Sequence, residues 1–313
     1  MVSGLASVDE AVRSPSCSAL SLAADEPLPG TAPYAPTWLV IECAASWGPN
    51  AIEALPDGVA DMLTETTAGT GVRILLARRG RVDNPRARGG HVWVAHTDPR
   101  RPLLVGAQGV DYRDLLDWDF AALGRGNLPN LDPIDEPMTL VCTNGGRDAC
   151  CARRSRPLVR ALSPSLDIWE CSHLGGHRFA PTMLTLPSGY LHGRLTDLTA
   201  AEQIAQSRAG RVSLDGLRGR SWLPAPGQVA EIAVRTFAEV RGCDDLEVVD
   251  IGEHPVSTEP PVGTEVTLSV RHRDGRRWSV DVVRVLDPTS RPVSCGAAPE
   301  PIHTWRATEP VLG

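Results

Sequence analysis

Cysteine and histidine residues that could bind a metal are concentrated in one short part of this 313-residue chain. The first stretch reads Cys142-Thr-Asn-Gly-Gly-Arg-Asp-Ala-Cys150-Cys151, and the second reads Cys171-Ser-His173-Leu-Gly-Gly-His177. Thiolate and imidazole ligands favour zinc or iron–sulfur centres, whereas magnesium and calcium are bound mainly by oxygen atoms. We therefore predict a metal centre here, and the best set of four ligands is Cys142, Cys151, His173 and His177.

The spacing of these residues is not that of an ordinary zinc knuckle. Eight residues separate Cys142 from Cys151, whereas only about two to four separate the paired cysteines of a knuckle. His173 and His177 have the spacing of one helix face, but the two glycines between them oppose a helix. A glycine-rich loop allows close backbone approach and leaves amide N–H groups free to donate to sulfur. The pattern therefore favours a loop around a group bulkier than a single ion.

Two neighbouring cysteines leave the ligand set open. Cys150 is adjacent to Cys151, and on an extended chain the two side chains would point in opposite directions, so both cannot readily bind one centre. Cys171 is expected to be a buried strand residue, although it could replace one of the proposed ligands. The other four cysteines are expected to be structural: Cys17, Cys43, Cys243 and Cys295.

Charged residues beside these motifs could tune such a centre. Arg147 and Arg178 flank the proposed ligands, and they could raise a redox potential, receive an acidic partner or simply be solvated loop residues. Asp148 could accept a hydrogen bond from a histidine ring or could cap the helix that follows it. The sequence does not separate these roles.

The overall composition excludes several other chemistries. All 31 residues of the Lys+Arg total are arginine, so the chain lacks the lysine of phosphate-binding loops, Schiff-base enzymes and protein kinases. A net charge of −7 argues against broad nucleic-acid binding. The segment before Cys17 does not have the pattern of a secretory signal, and no apolar run approaches the ~20 residues of a membrane span. We therefore expect a cytoplasmic protein that binds neither nucleic acid nor membranes and has no disulfide framework.

The hydrophobic pattern predicts an α/β fold of the α+β kind. Buried strands and helices follow one another in the same order twice, which predicts two thioredoxin-like βαβββα units. A right-handed crossover in the second unit brings the strand ends before the two motifs to the same edge of a sheet. The predicted parts are a leader over 1–36, a unit without a cluster over 37–127, a unit with the metal centre over 137–210 and an αββ extension over 227–290.

The predicted helices can be placed along the chain. They cover 51–67, the region near 112–123, a part that includes 156–162, then 199–208 with Thr199 as the cap, and 228–240. In the extension, Asp274-Gly275 is a strong hairpin signal between two alternating strands.

The two motifs resemble those of the sucrase/ferredoxin-like family of thioredoxin-like [2Fe–2S] proteins, in the branch with Cys2His2 ligation. The pattern in that branch is Cys-Thr-x-Gly-x-Arg-Asp-x-x-Cys followed by Ser-His-x-Gly-Gly-His-x-Phe/Tyr-Ala. The chain matches it at Cys142, Thr143, Gly145, Arg147, Asp148 and Cys151, and again at Ser172, His173, Gly175, Gly176, His177, Phe179 and Ala180. Because Gly30-Thr31-Ala32-Pro33 and Trp38-Leu39 are also similar, we expect the resemblance to reach about residue 200 or beyond.

The resemblance implies that Cys142, Cys151, His173 and His177 hold a [2Fe–2S] cluster, and the family spacing selects Cys151 over Cys150. It implies an electron carrier or redox sensor, rather than an enzyme with its own substrate, that works with a separate partner such as a reductase. Two neutral imidazoles in place of thiolates would raise the potential, and loss of an outer ring proton could couple electron transfer to a proton. The alternatives are a structural Cys2His2 zinc site and a thiol–disulfide redox protein. The sequence does not predict the oligomeric state.

Overall fold

The computed structural model describes residues 15–79, 90–249 and 260–313 as two β-sheets with helices packed against them. The first sheet contains β1 (Thr37–Glu42), β2 (Val72–Arg78), β3 (Gly90–His96), β4 (Leu103–Val110), β5 (Asp132–Pro133), β6 (Met138–Cys142), β7 (Trp169–Cys171), β8 (Met183–Leu186), β9 (Tyr190–His192) and β10 (Leu217–Arg220). The α-helices in the described ranges are α1 (Cys17–Ala23), α2 (Val59–Thr67), α3 (Phe120–Gly124), α4 (Ala149–Leu162), α5 (Asp197–Arg208) and α6 (Ala225–Phe237). The predicted α+β class is confirmed.

The first sheet contains the same arrangement of strands twice. Its order is β10-β9-β8-β6-β7-β2-β1-β3-β4-β5. In the first half, β1 and β2 are parallel and are joined through α2, β3 is antiparallel to β1, and β4 is antiparallel to β3. In the second half, β6 and β7 are parallel and are joined through α4, β8 is antiparallel to β6, and β9 is antiparallel to β8. The predicted βαβββα order therefore occurs twice, in one continuous sheet. That each half is a thioredoxin-like unit stays a prediction.

Alternating side chains of this sheet build a core on each face. In β1, Leu39 and Ile41 pack with α2 and α3, whereas Trp38 lies in the core of the opposite face. In β6, Val141 packs against α4 and α5, whereas Cys142 lies in the opposite core. The period-two alternation of a strand therefore directs Cys142 to the face away from the bodies of these helices.

The two halves of the sheet meet where β2 and β7 run antiparallel, a junction that we call the seam. Its register pairs are Ala77 with Cys171 and Arg78 with Glu170. The pairing continues for one more residue, because the Ser172 N–H donates to the Leu76 carbonyl at 2.8 Å and the Leu76 N–H donates to Ser172 Oγ at 3.0 Å. The seam therefore contains the first two residues of the second motif, Cys171 and Ser172, and His173 follows directly.

The prediction of one continuous helix over 51–67 is wrong. The segment forms a 3₁₀-helix, Ala51–Ala54, and then α2. Between them lie Pro56, which has no backbone N–H to donate, and Gly58, which has φ of +80°. These two residues end the first helix and set a new chain direction for the second.

The helix predicted near 112–123 is also divided. It consists of a 3₁₀-helix, Asp114–Asp117, and the short helix α3. The side chain of Asp119 accepts a hydrogen bond from the Ala122 N–H at 2.9 Å and so begins α3 as its cap.

The helix predicted over 199–208 begins earlier than expected. The Thr196 hydroxyl accepts the N–H of Thr199 at 3.2 Å, while the Thr199 hydroxyl accepts the N–H of Thr196 at 2.9 Å. This reciprocal capping box makes Thr196 the cap of α5, so the prediction of Thr199 is wrong. The helix predicted to include 156–162 is α4, which begins at Ala149 and includes Cys150 and Cys151, so this prediction is confirmed.

The C-terminal part has more strands than the predicted αββ extension. After α6 the second sheet contains β11 (Leu246–Val249), β12 (Glu265–His272), β13 (Arg277–Leu286), β14 (His303–Ala307) and β15 (Val311–Leu312). The order is β11-β12-β13-β14, with β15 also paired to β13. The predicted Asp274-Gly275 hairpin joins β12 to β13, and Gly275 has φ of +102°.

Buried charges attach α6 to the first sheet. Arg235 donates to Glu231 Oε1 at 2.9 Å and to the Tyr190 hydroxyl at 2.6 Å, and that hydroxyl donates to Glu231 Oε1 at 2.6 Å. Each of these side chains is at most 1% exposed. The remaining Arg235 N–H groups donate to the carbonyls of Val240, Gly242 and Cys243, whereas Glu231 Oε2 is buried without a partner among the described residues. The cation is therefore fully satisfied, and the carboxylate only in part.

Within the described ranges, no helix is both long enough and apolar enough to cross a membrane.

A buried histidine in β9 makes stability depend on pH. His192 is 0% exposed, its Nε2 lies 3.0 Å from the Ser213 carbonyl oxygen, and burial lowers its pKa from 6.5 to about 4. The unfolded chain therefore binds a proton that the folded protein excludes. We expect His192 to remove about 2 kcal/mol of unfolding free energy between about pH 7 and about pH 5.

The measurement is urea unfolding of the wild type and His192→Gln at both pH values. The amide of Gln can still donate to the Ser213 carbonyl but does not titrate, so the variant should lose less stability on acidification. Other titrating groups are common to both proteins. Equal losses in the two proteins would contradict the assignment to His192.

Candidate metal centre

The parallel pairing of β6 and β7 brings the two cysteine motifs together. Cys142 and Cys171 are register partners at the ends of these strands, and both are 0% exposed. After Cys142 the chain leads into α4. After Cys171 it leads into the loop from His173 to His177, which we call the histidine loop. This confirms the expectation that both motifs begin at one edge of the sheet.

The N-terminus of α4 decides where the adjacent cysteines point. Asp148 is the cap of α4, because its Oδ1 accepts the Cys150 N–H at 2.8 Å. Cys150 and Cys151 thus lie on a helix and not on an extended chain as expected, and consecutive helical side chains diverge by about 100°. As a result the two sulfur atoms enter different groups.

Three of the four predicted ligands converge. The ligand atoms of Cys142, Cys151 and His173, which we call the Cys142 group, lie within 4.8 Å of one another. His177 lies outside this set but beside it, with its ring centroid 5.2 Å from that of His173. All four predicted residues therefore lie in one region of the structure. The ligand atoms of three of them are close enough together to bind a common group.

The histidine rings have unsatisfied polar atoms. Within the described part of the chain, Nδ1 of His173 and both ring nitrogens of His177 are buried without a hydrogen-bond partner. A buried polar atom without a partner costs about 1–3 kcal/mol, and native proteins contain few of them. Nitrogen atoms left free beside two thiols fit a bound metal centre.

The surroundings of Cys142 favour its thiolate. The groups that stabilise its charged form are the Cys151 thiol first, then the His173 ring and the backbone N–H groups of Leu174 and Asn144. These hydrogen bonds hold the pKa of Cys142 well below its usual value, whereas the same contact and burial raise the pKa of Cys151. The amide donors come from the two glycine-containing loops, which is the role predicted for those loops.

The two remaining cysteines of the motifs have different places. Cys171 lies outside the Cys142 group, and burial raises its pKa well above the usual value, as expected for an inert strand residue. Cys150 is 2% exposed and joins a separate set with Cys17, Cys295 and Asp148. Cys17 and Cys295, which the sequence analysis treats as structural residues, therefore lie together with Cys150 in the folded chain.

Two arginines that sequence reasoning missed lie beside the histidine loop. Arg218 is 0% exposed; its Nη1 donates to the Gly175 carbonyl at 3.0 Å, and its Nη2 donates to the Thr31 carbonyl. Arg73 donates to the His173 carbonyl at 3.3 Å. Burial lowers the pKa of Arg218 to about 9. The buried guanidinium holds the loop and contributes positive charge close to the thiolates.

Arg147 and Arg178, the two arginines that flank the proposed ligands in sequence, have different surroundings. Arg147 is exposed, and Arg178 forms an ion pair with Glu26 at 2.7 Å. No sequence signal distinguishes Arg73 and Arg218 from the other arginines, because both reach the loop from strands distant in sequence.

The loop geometry predicts different effects of alanine at its two glycines. Both have positive φ, +83° at Gly175 and +69° at Gly176. A Cβ on Gly176 would lie 2.8 Å from Arg218 Cζ, whereas one on Gly175 would have Arg73 Nη2 at 3.9 Å as its nearest neighbour. Gly175→Ala should cost about 1–2 kcal/mol of unfolding free energy from backbone strain, and Gly176→Ala should cost about 2–4 kcal/mol because a steric clash is added.

The measurements are denaturant unfolding and the metal content of the purified proteins. Because the clash displaces the loop that carries His173 and His177, Gly176→Ala should also lose bound metal severalfold, while Gly175→Ala retains it. Equal behaviour of the two variants would show that Arg218 does not hold the loop.

The comparisons with known proteins agree with the motifs. The sequence model described as sucrase/ferredoxin-like matches residues 28–219, which is more than half of the chain and includes β1 to β9 and all of β10 except its last residue. No curated protein and no solved structure matches the chain. The resemblance expected to reach about residue 200 or beyond is therefore confirmed. On this match, the chain belongs to the sucrase/ferredoxin-like family.

Proposed function

We propose that this chain is a [2Fe–2S] protein that transfers single electrons or senses redox state, with Cys142, Cys151, His173 and His177 as the cluster ligands. When bound, such a cluster supplies reversible one-electron chemistry, and its potential is set by ligand charge, hydrogen bonds to sulfur and burial.

One observation carries the proposal. Both ring nitrogen atoms of His177 are buried beside the Cys142 group, and among the described residues neither has a hydrogen-bond partner, while Asp148 Oδ2 lies 3.7 Å from Nε2. A structural histidine in a core is normally satisfied by a neighbouring polar atom. Two thiols and two imidazoles with free nitrogen atoms, in a sucrase/ferredoxin-like protein, are the donor set that the cluster requires.

The spread of the donor atoms favours a cluster over one zinc ion. In a tetrahedral zinc site with these ligands, every pair of donor atoms lies roughly 3.3–3.8 Å apart. Here His177 is outside the set that lies within 4.8 Å. A cofactor with two irons can take two ligands on each iron, and it suits four donors that do not surround a single point.

The protein supplies a high potential through its own residues. Neutral imidazoles on one iron leave the centre less negative than four thiolates would. The N–H groups of Asn144 and Leu174 donate to Cys142, and the buried Arg218 adds positive charge nearby. All three effects stabilise the reduced state.

The histidine side of the site is the side that a redox partner would approach. Cys142 and Cys151 are at most 1% exposed, whereas His173, His177 and the glycines between them are partly exposed. We propose that a separate partner such as a reductase contacts this loop, since electron transfer is favoured by a short path from the cofactor to the surface.

The first test is the visible spectrum of protein purified without oxygen, together with iron and acid-labile sulfide analysis. Cys142→Ser should lose the colour, the iron and the sulfide. Cys43→Ser is the matched control, because Cys43 is also buried but lies outside both metal-binding groups found in the described residues. Colourless protein whose zinc is lost in Cys142→Ser would replace the proposal with a zinc site, and absence of any metal at Cys142 would favour thiol–disulfide chemistry.

The second test replaces one imidazole by a thiolate. His173→Cys should retain a cluster, and its potential should fall towards the about −400 mV of plant-type ferredoxins, because the added negative charge opposes reduction. Protein-film voltammetry measures the shift. A potential that is unchanged or raised would exclude His173 as a ligand.

The third test concerns the proposed proton coupling. If an imidazole loses its outer proton more readily in the oxidised protein, the potential should fall as pH rises from neutral to alkaline values. Voltammetry across this range in wild type should show the slope, and His173→Cys should reduce it. A potential that stays flat with pH would exclude coupling while leaving the cluster assignment intact.

A further inference from the structure

A second set of thiols lies beside the Cys142 group and has no part in the proposed function. Cys17 Sγ is 3.4 Å from Cys150 Sγ and 3.6 Å from Cys295 Sγ, and the last two sulfur atoms are 3.2 Å apart. All three are free thiols. The Asp148 carboxylate lies 3.9 Å from Cys17 Sγ. We call these four residues the Cys17 group.

The Cys17 group joins parts of the chain that are far apart in sequence. Cys17 is the first residue of α1, Cys150 lies in the first turn of α4, and Cys295 lies between β13 and β14. Cys17 and Cys150 are at most 2% exposed. Because the family match covers only 28–219, Cys17 and Cys295 lie outside it.

Apolar packing alone does not account for the group. A buried cysteine can act as a small hydrophobic residue, and Cys17 and Cys150 do pack with Ala180. However, Asp148 is only 4% exposed, and its carboxylate accepts the Cys150 N–H and the Cys295 N–H, each at 2.8 Å. Three thiols that surround a buried carboxylate form the donor set of a cation rather than an apolar cluster.

The distances suit a zinc ion. Tetrahedral ligation with Zn–S of about 2.3 Å places sulfur atoms roughly 3.8 Å apart, close to the observed edges of 3.2, 3.4 and 3.6 Å. Asp148 Oδ2 already accepts from Ser294 Oγ at 2.9 Å and from the Cys295 N–H at 2.8 Å. Oδ1 accepts from the Cys150 N–H at 2.8 Å and from the Cys17 thiol at 3.9 Å, and the thiol donation ends when Cys17 loses its proton to bind a metal. Oδ1 therefore has a lone pair available as the fourth ligand.

We propose that Cys17, Cys150, Cys295 and Asp148 Oδ1 bind one Zn²⁺ as a closed structural site. Three thiolates with one carboxylate are a donor set that zinc accepts and that magnesium and calcium do not. The ion would fasten α1 and the segment before β14 to the N-terminus of α4. It would do so beside the histidine loop, since Asp148 Oδ2 lies 3.7 Å from His177 Nε2.

Ion pairs join the same parts of the chain. Glu26, which follows α1, is 1% exposed and pairs with Arg178 at 2.7 Å and with Arg291 at 2.9 Å. Arg178 follows His177 directly, and Arg291 lies in the segment that carries Cys295. The Zn²⁺ site and the Glu26 pairs thus form two attachments between α1, the histidine loop and the C-terminal segment.

The experiment measures zinc and iron together in the full-length protein. The variants are Cys17→Ser/Cys295→Ser, Cys142→Ser and the control Cys43→Ser, all expressed with zinc and iron supplied and purified without oxygen. The wild type and the control should contain one zinc per chain. The double variant should lose that zinc, and Cys142→Ser should retain it while losing iron.

The outcomes separate this inference from the proposed function. If the Cys142 group holds zinc, the wild type will contain two zinc ions and Cys142→Ser one, so the proposed function fails and the second site stands. If the double variant retains the full zinc content, or the wild type has no zinc beyond that removed by Cys142→Ser, the second site does not exist.

A measurement on the wild type covers the case in which the double variant fails to fold. Cys17 and Cys295 should resist alkylation in the zinc-loaded protein and should react after a chelator removes zinc, as mass spectrometry of peptides can show. Unchanged reactivity, or a disulfide between any two of the three cysteines in protein purified without oxygen, would overturn the proposal.

Discussion

The carboxylate of Asp148 is the constraint on which the arrangement around both cysteine groups depends. A helix begins with backbone N–H groups that have no partner within the helix, and here Asp148 Oδ1 accepts one of them from Cys150. This fixes the first turn of α4 against the end of β6. With the turn fixed, Cys151 faces Cys142 and Cys150 faces Cys17, because successive helical residues diverge. The other oxygen, Oδ2, accepts hydrogen bonds from Ser294 Oγ and from the Cys295 N–H. This one side chain therefore links the end of β6, the start of α4 and the segment before β14.

Arginine takes the buried cationic positions in this lysine-free chain. Arg218 and Arg235 are each 0% exposed and donate to several oxygen atoms. A guanidinium has five N–H donors in a fixed plane, so it can satisfy backbone carbonyls from different segments at once, whereas an ammonium group has three donors around one nitrogen. The absence of lysine that excluded several chemistries therefore also explains why arginine, at positions 235 and 218, holds α6 and the histidine loop in place.

Local patterns predicted those parts of the fold and site that depend on local sequence. The buried strands β6 and β7, the crossover between them and the Gly175-Gly176 loop follow from hydrophobic runs and glycines, and these place Cys142 near His173. The possibility that Asp148 caps the following helix is confirmed, but Cys150 and Cys151 were not placed on that helix, because the stretch before residue 156 is rich in cysteine and arginine and has little apolar periodicity. Consequently the reason given for separating Cys150 from Cys151 was wrong, although the separation itself is present.

Contacts between distant segments could not be predicted. Arg218 reaches Gly175 from β10, and Cys295 reaches Cys150 from beyond β13. Nothing in the spacing of a single sequence links such positions, because the link is made by the order of strands in a sheet and by the path of the terminal segments over it. The same limit applies to Cys17, which local sequence presents as an isolated residue.

The seam between the halves of the first sheet gives the histidine loop a mechanical role. Cys171 and Ser172 pair with β2, and His173 is the next residue. The backbone that carries the proposed ligands is thus the same backbone that holds two half-sheets together through a three-residue strand. The halves also share one apolar core, in which Trp38 and Trp93 of the first half pack with Leu140 and Trp169 of the second, so the seam adds to a coupling that this core already provides. A metal centre bound at the end of the seam would add a link between the two halves. The halves would then unfold as one unit when the centre is occupied and more independently when it is empty.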